Sequence, residues 1–564
     1  MSHLGSHILY DVINKDEDVF CERVYSPGVD MEDIMREKNI PIFGLESREP
    51  ITDFDFVTFT LQYELSYTNI LNILDLAGIP ILKEDRNLND PFVMVGGPCA
   101  YNSEPLADFV DIVILGEGEE VNLEVVNVYK EWKKNKTSRE DFLYKISNIE
   151  GVYIPSFYDV NYNDDGTLQN VFTLKEGIPT NPSKRIIKDV ESVDYPEKFI
   201  VPYIDTVHDR IVLELFRGCT RGCRFCQAGM IYRPIREKSV DRLKEVLEKL
   251  VKSTGFDEIS LSSLSTSDYS QLSELTDYLV DEYASSNIGI SLPSLRLDNF
   301  SMEIADKIQQ VRKSGLTFAP EAGTQRMRDV INKGVTEEDL ENATRKAFEM
   351  GWNSVKLYFM IGLPTETYED LDGIAKLAYE VIDIYRDVHS GKLKKNFGVT
   401  VSTSTFVPKP FTPFQWHAQD TTEEVVEKQR HLVKKLRNKN IKYNYHDSST
   451  SLMEAVIARG DRKISKVIYD AYKLGSKFDG WSEHFKLDIW KEAMEKNNLS
   501  IEFYANRDRG YNEVFPWDHI DVGVDKDFLL KENEKAKEDE ITPDCRNGCN
   551  VCGINTHDIG RGLC

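Results

Sequence analysis

The sequence predicts a multidomain α/β protein: a parallel sheet with covering helices, then a second region of repeated strand–helix units, then a C-terminal region with a cysteine-rich tail. Three observations carry that reading. At 564 residues the chain exceeds one ordinary hydrophobic core, so about two to four domains are expected. Apolar runs of strand length alternate with helix-spaced apolar positions, once before residue 160 and again between 205 and 440. Glycines and small polar residues follow those runs, where parallel α/β folds place their ligands.

In residues 1–160 the strand-like runs are DFDFVTFTLQ from Asp53, PFVMVGGP from Pro91 and DIVILGEGEE from Asp111. Between the first two, Ile70, Leu71, Leu74 and Ala77 recur at helical spacing. Gly96 and Gly97 end one strand, and Gly116 and Gly118 end the next. Glycine there lets a large flat ligand approach the backbone, and tight strand-to-helix turns account for it equally well. The chain opens with MSHLGSHILY and passes directly into a helix with Ile8, Leu9, Val12 and Ile13 on one face. Residues 161–204 are rich in Pro, Asn and Asp and read as a connecting segment.

The most informative segment is RGCTRGCRFCQAG, which carries Cys219, Cys223 and Cys226. Three thiolates at this spacing can hold three irons of a 4Fe–4S cluster and leave the fourth iron open to a small molecule. A zinc site would need a fourth ligand; His208 is the one upstream candidate, and none lies close on the C-terminal side. With 95 acidic against 69 basic side chains the formal charge is -26. Such a surface repels phosphate backbones and anionic lipid, which disfavours generic nucleic-acid binding but leaves room for a local basic pocket. Nine cysteines, six of them in two tight clusters, fit metal ligation in a reducing cytosol better than a disulfide framework. With no signal peptide and no long apolar span in the sequence, a cytoplasmic protein without membrane attachment is expected.

Phe225 before the last cysteine, and the apolar IVLELF run before the first, make this segment resemble the radical S-adenosylmethionine (radical SAM) signature. The resemblance implies that the amino and carboxylate groups of SAM bind the open iron and that an electron from the cluster cleaves SAM to methionine and a 5'-deoxyadenosyl radical. Residues 205–440 then resemble the partial (β/α)6 radical SAM barrel, with Cys219, Cys223 and Cys226 as catalytic cluster ligands on its first βα loop. By the same resemblance Ser262, Ser263 and Asp268 of SLSSLSTSDY meet the SAM amino group, Arg296 its carboxylate, and Ser291 and Ser294 its ribose. Glu321 matches a SAM-contacting glutamate, while Gly362, Leu363 and Pro364 of KLYFMIGLPTETYEDL line the adenine pocket. A capped helix start at Ser265 or Ser267 and a surface salt bridge at Glu321 are the plain structural alternatives. Phe406, Lys409 and Trp416 face either substrate or core.

Upstream of that signature, the first domain resembles the Rossmann-like (flavodoxin-like) cobalamin-binding domain of cobalamin-dependent radical SAM enzymes. Gln62, Tyr63, Gly96, Gly97, Pro98, Gly116, Glu117 and Gly118 are its candidate cofactor contacts. The histidine-ligating Asp-x-His-x-x-Gly pattern is missing, and a first strand that relatives place before MSHLGSHILY is not in the sequence. The stretch from His446 that includes ARGDRK and FDGWSEHF, together with MSHLG, LQYELSYTN and TPDCRNGC, makes nearly the whole chain resemble one largely uncharacterised cobalamin-binding radical SAM family, with 441–530 read as a helical C-terminal region. His446, Asp447, Arg459, Asp461, Asp479, Trp481 and His484 either cover the barrel mouth or cap and pair helices. Residues 531–564 form a charged linker and a tail in which Cys545, Cys549 and Cys552 repeat the earlier spacing, with His557 and Cys564 downstream. A second iron–sulfur cluster, zinc or a free tail are the readings of that set.

These readings point to cobalamin-dependent methylation of an unactivated carbon. Methylthiotransferase-like sulfur insertion is the alternative within enzymes, and a cofactor-binding scaffold or sensor acting with a small companion protein is the alternative outside them. RNA, peptide and small molecule stay open as substrates, with flavodoxin or ferredoxin as the electron donor.

Overall fold

The computed structural model describes residues 3–204, 206–293, 296–298 and 316–557. The first domain is a four-stranded sheet of β1 (Phe56–Thr60), β2 (Phe92–Gly96), β3 (Ile112–Ile114) and β4 (Val152–Tyr153), in that order. β1, β2 and β3 are parallel and β4 closes the sheet antiparallel. Val93, Val95, Ile112 and Val113 are wholly buried, as expected of a parallel sheet covered on both faces. The expected strands and the Tyr67–Ala77 helix all form. The opening segment folds as a helix, Leu4–Asn14, whose first turn is capped by His3 through its ring nitrogen and Ser6 N–H.

β5 (Tyr158–Tyr162) and β6 (Leu168–Thr173) form an antiparallel hairpin. The chain then returns across the first domain, where Arg185 bridges Gly116 and Ser183 bridges Asp521. That return fixes Gly116: its φ is +99°, and a Cβ there would stand 2.1 Å from the Arg185 carbonyl oxygen.

The second set of strands begins with β7 (Ile211–Glu214), β8 (Phe216–Arg217) and β9 (Arg236–Glu237), the last two paired as a short ribbon. β10 (Glu258–Ser262) lies parallel between β7 and β11 (Gly289–Ser291). β12 (Leu316–Glu321), β13 (Ser354–Ile361), β14 (Gly398–Thr405) and β15 (Ile441–Tyr445) form a second parallel sheet. Among the described residues no pairing joins β11 to β12 or β7 to β15, so the strands form an open arc, as the partial barrel requires. β15 continues that sheet past residue 440, where the sequence reading had placed the start of the helical region.

The covering helices begin where the sequence supplies caps. Thr336 with Asp339, Thr367 with Asp370 and Thr421 with Glu424 each form a reciprocal capping box that satisfies two orphan N–H groups. No helix of the described residues is long and apolar enough to cross a membrane.

The C-terminal helices share a core with the first domain, which the barrel residues Met230, Ile231, Phe411 and Trp416 also join. Ile464, Val467, Trp490, Phe515 and Trp517 join Leu71, Leu74 and Tyr153 in one apolar cluster. Asp479 of FDGWSEHF stitches the two, accepting bonds from Thr68 Oγ1 at 2.7 Å, Ser476 Oγ at 2.6 Å and Trp490 Nε1 at 3.2 Å. Asp447 caps the Ser448–Ala458 helix. These two residues pair and cap helices, which was one of the two readings open to them.

Gly116→Ala is therefore expected to destabilise the fold by about 2–4 kcal/mol, because a strained φ and a backbone collision coincide. Urea denaturation of the variant beside the parent measures it.

Candidate functional site

The three cysteines of the central run leave β8 on a loop that opens with Gly218. Its φ is +88°, and a Cβ would meet the Pro234 carbonyl oxygen at 2.4 Å, so only glycine lets the loop turn here. Cys226 Sγ accepts the Gly229 N–H at 3.4 Å. Burial pushes the Cys219 thiol to about 11 and the Cys226 thiol to about 12, and in both the Cys223 sulfur adds to the shift. Free, the Cys219 and Cys226 thiols therefore stay protonated at neutral pH, and bound metal is what ionises such groups. Among the described residues no three His, Cys, Asp or Glu side chains are gathered closely enough for a single metal ion. A cubane cluster spaces its thiolates wider than one ion does, so three soft, mutually coupled sulfurs on one loop fit a cluster better than zinc. His208 offers no fourth ligand: its ring lies beside Arg210 at 3.5 Å, in a cleft with Leu4 and Phe199.

The ends of the barrel strands converge on this loop. Phe225 packs against Ala322 after β12, Met360 and Leu363 around the end of β13, and Phe406 after β14. Phe406 and Trp416 are core residues at 2 % exposure. Gly362 has φ +77° and donates its N–H to Glu366 at 2.8 Å, while Pro364 follows Leu363 at the same turn. Glu321 is a non-glycine residue at φ +68°, beside a register shift in β12, and Lys333 Nζ reaches its carboxylate at 3.2 Å. Such strain collects where the fold holds a functional residue.

Polar groups at the mouth are tied to one another. Asp268 is committed to Arg221, at 2.5 Å and 3.0 Å, and to Ser265 Oγ at 2.6 Å. It ties the cysteine loop to the end of β10 rather than offering a free carboxylate. Arg296 pairs with Asp298 at 2.9 Å and donates to the Lys333 carbonyl at 2.7 Å. Burial opposes its charge, but Cys223 and Asp298 outweigh that and raise it, so a cation stands beside the thiols. Ser262 and Ser291 lie half-buried at the ends of β10 and β11, and Ser263 Oγ is 3.1 Å from Thr266 Oγ1. Ser294 and Cys564 lie outside the described residues.

The first domain meets the barrel at the same place. Gly116, Glu117 and Gly118 do not present an open turn, because the 183–187 segment covers them. Glu117 accepts the Ile187 N–H at 2.6 Å and pairs with Arg236 at 2.5 Å and Arg217 at 3.3 Å. A Cβ on Gly118 would meet Asn122 Nδ2 at 2.9 Å. The other edge is more open: Gln62 is exposed, and Tyr63, Gly96, Gly97 and Pro98 are half-buried. Gly97 is required there, since its φ is +110° and a Cβ would lie 2.9 Å from the Leu61 carbonyl oxygen. Beneath this edge Lys409 bridges Glu64 at 2.6 Å and Glu454 at 2.9 Å, and Tyr63 OH donates to Glu454 at 3.0 Å.

Sequence reasoning missed the tail's contact with the loop. Asp544 accepts from Thr220 Oγ1 at 2.8 Å and pairs with Arg221 at 3.0 Å, while Cys545 N–H donates to the Thr220 carbonyl at 3.2 Å. Arg224, fully buried, pairs with Glu532 at 3.2 Å and donates to the Glu540 carbonyl at 2.6 Å. The one available signal was two arginines inside the cysteine run, in a chain whose tail is acidic. Cys549 Sγ accepts N–H bonds from Val551 at 3.4 Å and Asn555 at 3.9 Å, and Cys545 Sγ accepts one from Asn550 at 3.7 Å. Cys552 is buried at 3 % exposure.

A family model described as the radical SAM superfamily matches residues 213–378, and one described as radical SAM proteins, N-terminal, matches residues 5–155. The chain belongs to the radical SAM superfamily. An uncharacterized protein of Methanocaldococcus jannaschii is 31% identical over 437 residues, which is 77% of this chain and 84% of that protein; the two belong to one family. An uncharacterized methyltransferase of Pyrococcus horikoshii is 24% identical over 345 residues, 56% of this chain and 68% of that one. Among solved structures, the radical S-adenosylmethionine methyltransferase TsrM of Kitasatospora setae has a TM-score of 0.44 at 13% identity, covering 73% of this chain and 72% of that one.

Acid stability offers a check on the base of the site. Burial alone would raise the Glu214 carboxyl, but Lys238 and Arg217 outweigh it and hold it at about 2, against an ordinary 4.5. A depressed carboxyl contributes stability that is complete above pH 4.5 and is lost as pH falls toward 2. Glu214→Gln should therefore destabilise the protein at neutral pH and flatten its stability profile between those two values, as read by denaturant titrations at stepped pH.

Proposed function

We propose that this protein cleaves SAM reductively at a 4Fe–4S cluster held by Cys219, Cys223 and Cys226, and directs the resulting radical to methylation of an unactivated carbon with the help of a corrinoid. The observation that carries the first half is the convergence of the three thiols, the Arg296 cation and the ends of β10 to β14 on one mouth of the barrel. A bound cluster supplies the electron that divides SAM into methionine and a 5'-deoxyadenosyl radical.

The chain's own residues have identifiable tasks around that event. Phe225, Met360, Leu363 and Phe406 form an apolar wall that keeps water from the reacting centre. Arg296 beside Cys219 and Lys333 beside Cys226 each favour the thiolate form of their neighbour. The Gly362–Pro364 turn would offer backbone groups to the nucleoside, and the Glu321 carboxylate, held by Lys333, would contact SAM. Ser262, Ser263 and Ser291 supply hydroxyls at the strand ends.

For the corrinoid, the more open edge of the first domain is the candidate surface among the described residues. Gln62, Tyr63, Gly96, Gly97 and Pro98 would hold it, and Gly116, Glu117 and Gly118 would not, because the chain itself fills that turn. The group would supply the methyl for transfer there. The P. horikoshii relative, which is called a methyltransferase, supports this half of the reading.

The tail favours a second metal centre. Cys545 stands one hydrogen bond from the loop that carries Cys219, and two tail sulfurs accept N–H bonds of the kind that surround thiolate ligands. Its function is electron delivery to the first cluster or a place for substrate to bind.

Anaerobic reconstitution with iron, sulfide and hydroxocobalamin, followed by SAM and dithionite, tests these assignments together. Roughly four irons per chain are expected from the loop and a comparable number from the tail. The parent should release 5'-deoxyadenosine and S-adenosylhomocysteine, and the Cys219→Ala, Cys223→Ala, Cys226→Ala variant neither. Absence of both products under every condition overturns the reading. Cleavage without corrinoid retention removes only its methyl-transfer half.

A further inference from the structure

One face of the β12–β15 sheet carries polar side chains that no step of the proposed reaction uses. Val355, Leu357, Phe359 and Ile361 of β13 pack under the Tyr368–Val388 helix, in one apolar core with Leu371 and Ile374. Side chains alternate along a strand, so Lys356, Tyr358 and Met360 point to the opposite face. Met360 shares an apolar cluster with Phe225 of the cysteine loop, which makes that face the inside of the arc. A closed barrel fills its inside with branched apolar residues, and a parallel sheet is ordinarily covered on both faces. Here Tyr358, on an internal strand, is 38 % exposed.

The strand register sorts these positions into two rows. Lys356 stands beside Thr317 on β12 and Thr400 on β14, and Thr400 stands beside Lys442 on β15. One step nearer the cysteine loop, Tyr358 stands beside Ser402, and Ser402 beside Asn444. Thr317, Lys442 and Asn444 are exposed, and Lys356 and Thr400 are half-buried. Lys356 Nζ donates to Tyr358 OH and lies 4.3 Å from the centre of its ring, which leaves two ammonium N–H groups and the tyrosine O–H to give. Among the described residues the side chains of Lys442 and Asn444 make no hydrogen bond or ion pair. Neighbouring strands are about 4.8 Å apart, so the two lysines, two strands apart, can reach one anion between them. No acid stands in either row. The acids of β7 and β10, Glu214 and Glu258, are paired with Arg217 and Arg210, and Glu321 at the end of β12 is held by Lys333.

We propose that these two rows bind the substrate, and that the substrate is a small molecule bearing an oxyanion, a carboxylate or a phosphate, held by Lys356, Lys442 and Tyr358 OH. The inference rests on the reading that the reaction takes place at the mouth. Met360 stands at the apolar wall there. Tyr358 lies two residues and Lys356 four residues down the strand from it, or about 7 and 13 Å at roughly 3.3 Å per residue. The carbon that reacts is therefore about that far from the acid group, with Ser402 and Asn444 placed to hydrogen-bond the length between. Two lysines match the charge of one oxyanion, while a chain of formal charge -26 repels a long polyanion, which sets nucleic acid aside.

Isothermal titration of the reconstituted full chain with hexanoate, hexyl phosphate, hexanol and hexylamine, in the absence of SAM, tests the site apart from any cleavage chemistry. The two acids should bind saturably, and hexanol and hexylamine should not. Lys356→Met and Lys442→Met should each weaken the acids by about 10-fold or more, through loss of one charged donor, and Lys356→Arg should retain most of the affinity. Lys442 is exposed on an edge strand, so its variant keeps the test sound even where Lys356→Met disturbs the sheet. Tighter hexanoate assigns a carboxylate, tighter hexyl phosphate a phosphate, and equal affinity the oxyanion common to both. Hexanol binding as tightly as the acids, no saturable heat from either acid, or unchanged affinity in both methionine variants overturns the proposal. A protein that binds the acids through Lys356 and Lys442 but never cleaves SAM keeps this acid site and loses the proposed reaction.

Discussion

The buried guanidinium of Arg224 is the constraint on which the site depends. It stands between Cys223 and Phe225, and its side chain pairs with Glu532 and donates to the carbonyls of Val330 and Glu540. Its own amide bonds the Ile331 carbonyl at 3.0 Å. One residue therefore holds the cysteine loop against the segment that follows β12 and against the C-terminal helix Lys526–Lys537. Removing either partner of such a pair leaves a buried charge unmatched, which is far more costly than losing a surface bridge. The tail adds to this clamp through Asp544 on Thr220 and Arg221, and through Thr542 N–H on Asn332, whose amide donates to the Gly222 carbonyl.

This clamp also explains how a strongly acidic chain assembles a centre built from thiolates. Arg221, Arg224 and Arg296 are concentrated around the loop, and their counter-charges come from distant parts of the sequence: Asp268, Asp298, Glu532 and Asp544. On the other side of the loop, Arg217 is held among Glu117, Glu119 and Glu214 and joins the first domain to the barrel. The domain contacts and the cluster loop thus share one electrostatic framework. Such a network is expensive to break at any one point and fixes one geometry.

Much of the architecture was legible because it rests on local rules. Strand-length apolar runs such as PFVMVGGP and helical spacing such as Ile70, Leu71, Leu74 and Ala77 report their elements directly. The spacing of Cys219, Cys223 and Cys226 could be read for its chemistry because those residues share one short loop. Side-chain commitments formed across hundreds of residues were not legible. Asp268 reads as a free acid beside a ligand until Arg221 and Ser265 are seen to occupy it. Gly116 and Gly118 read as room for a cofactor, whereas Arg185 and Asn122 fill that room. β15 was missed because IKYNY has one strongly apolar residue and its stability comes from pairing with β14.

The central claim is that three thiols of one clamped loop hold a cluster with an iron open to SAM. Electron paramagnetic resonance of the dithionite-reduced, reconstituted protein tests it most directly, in a chain with Cys545, Cys549 and Cys552 changed to Ser so that only the loop reports. The account predicts a cluster signal whose g values shift when SAM is added, and which is lost in the further Cys223→Ala variant. A signal indifferent to SAM, or one that survives at full intensity without Cys223, would contradict it.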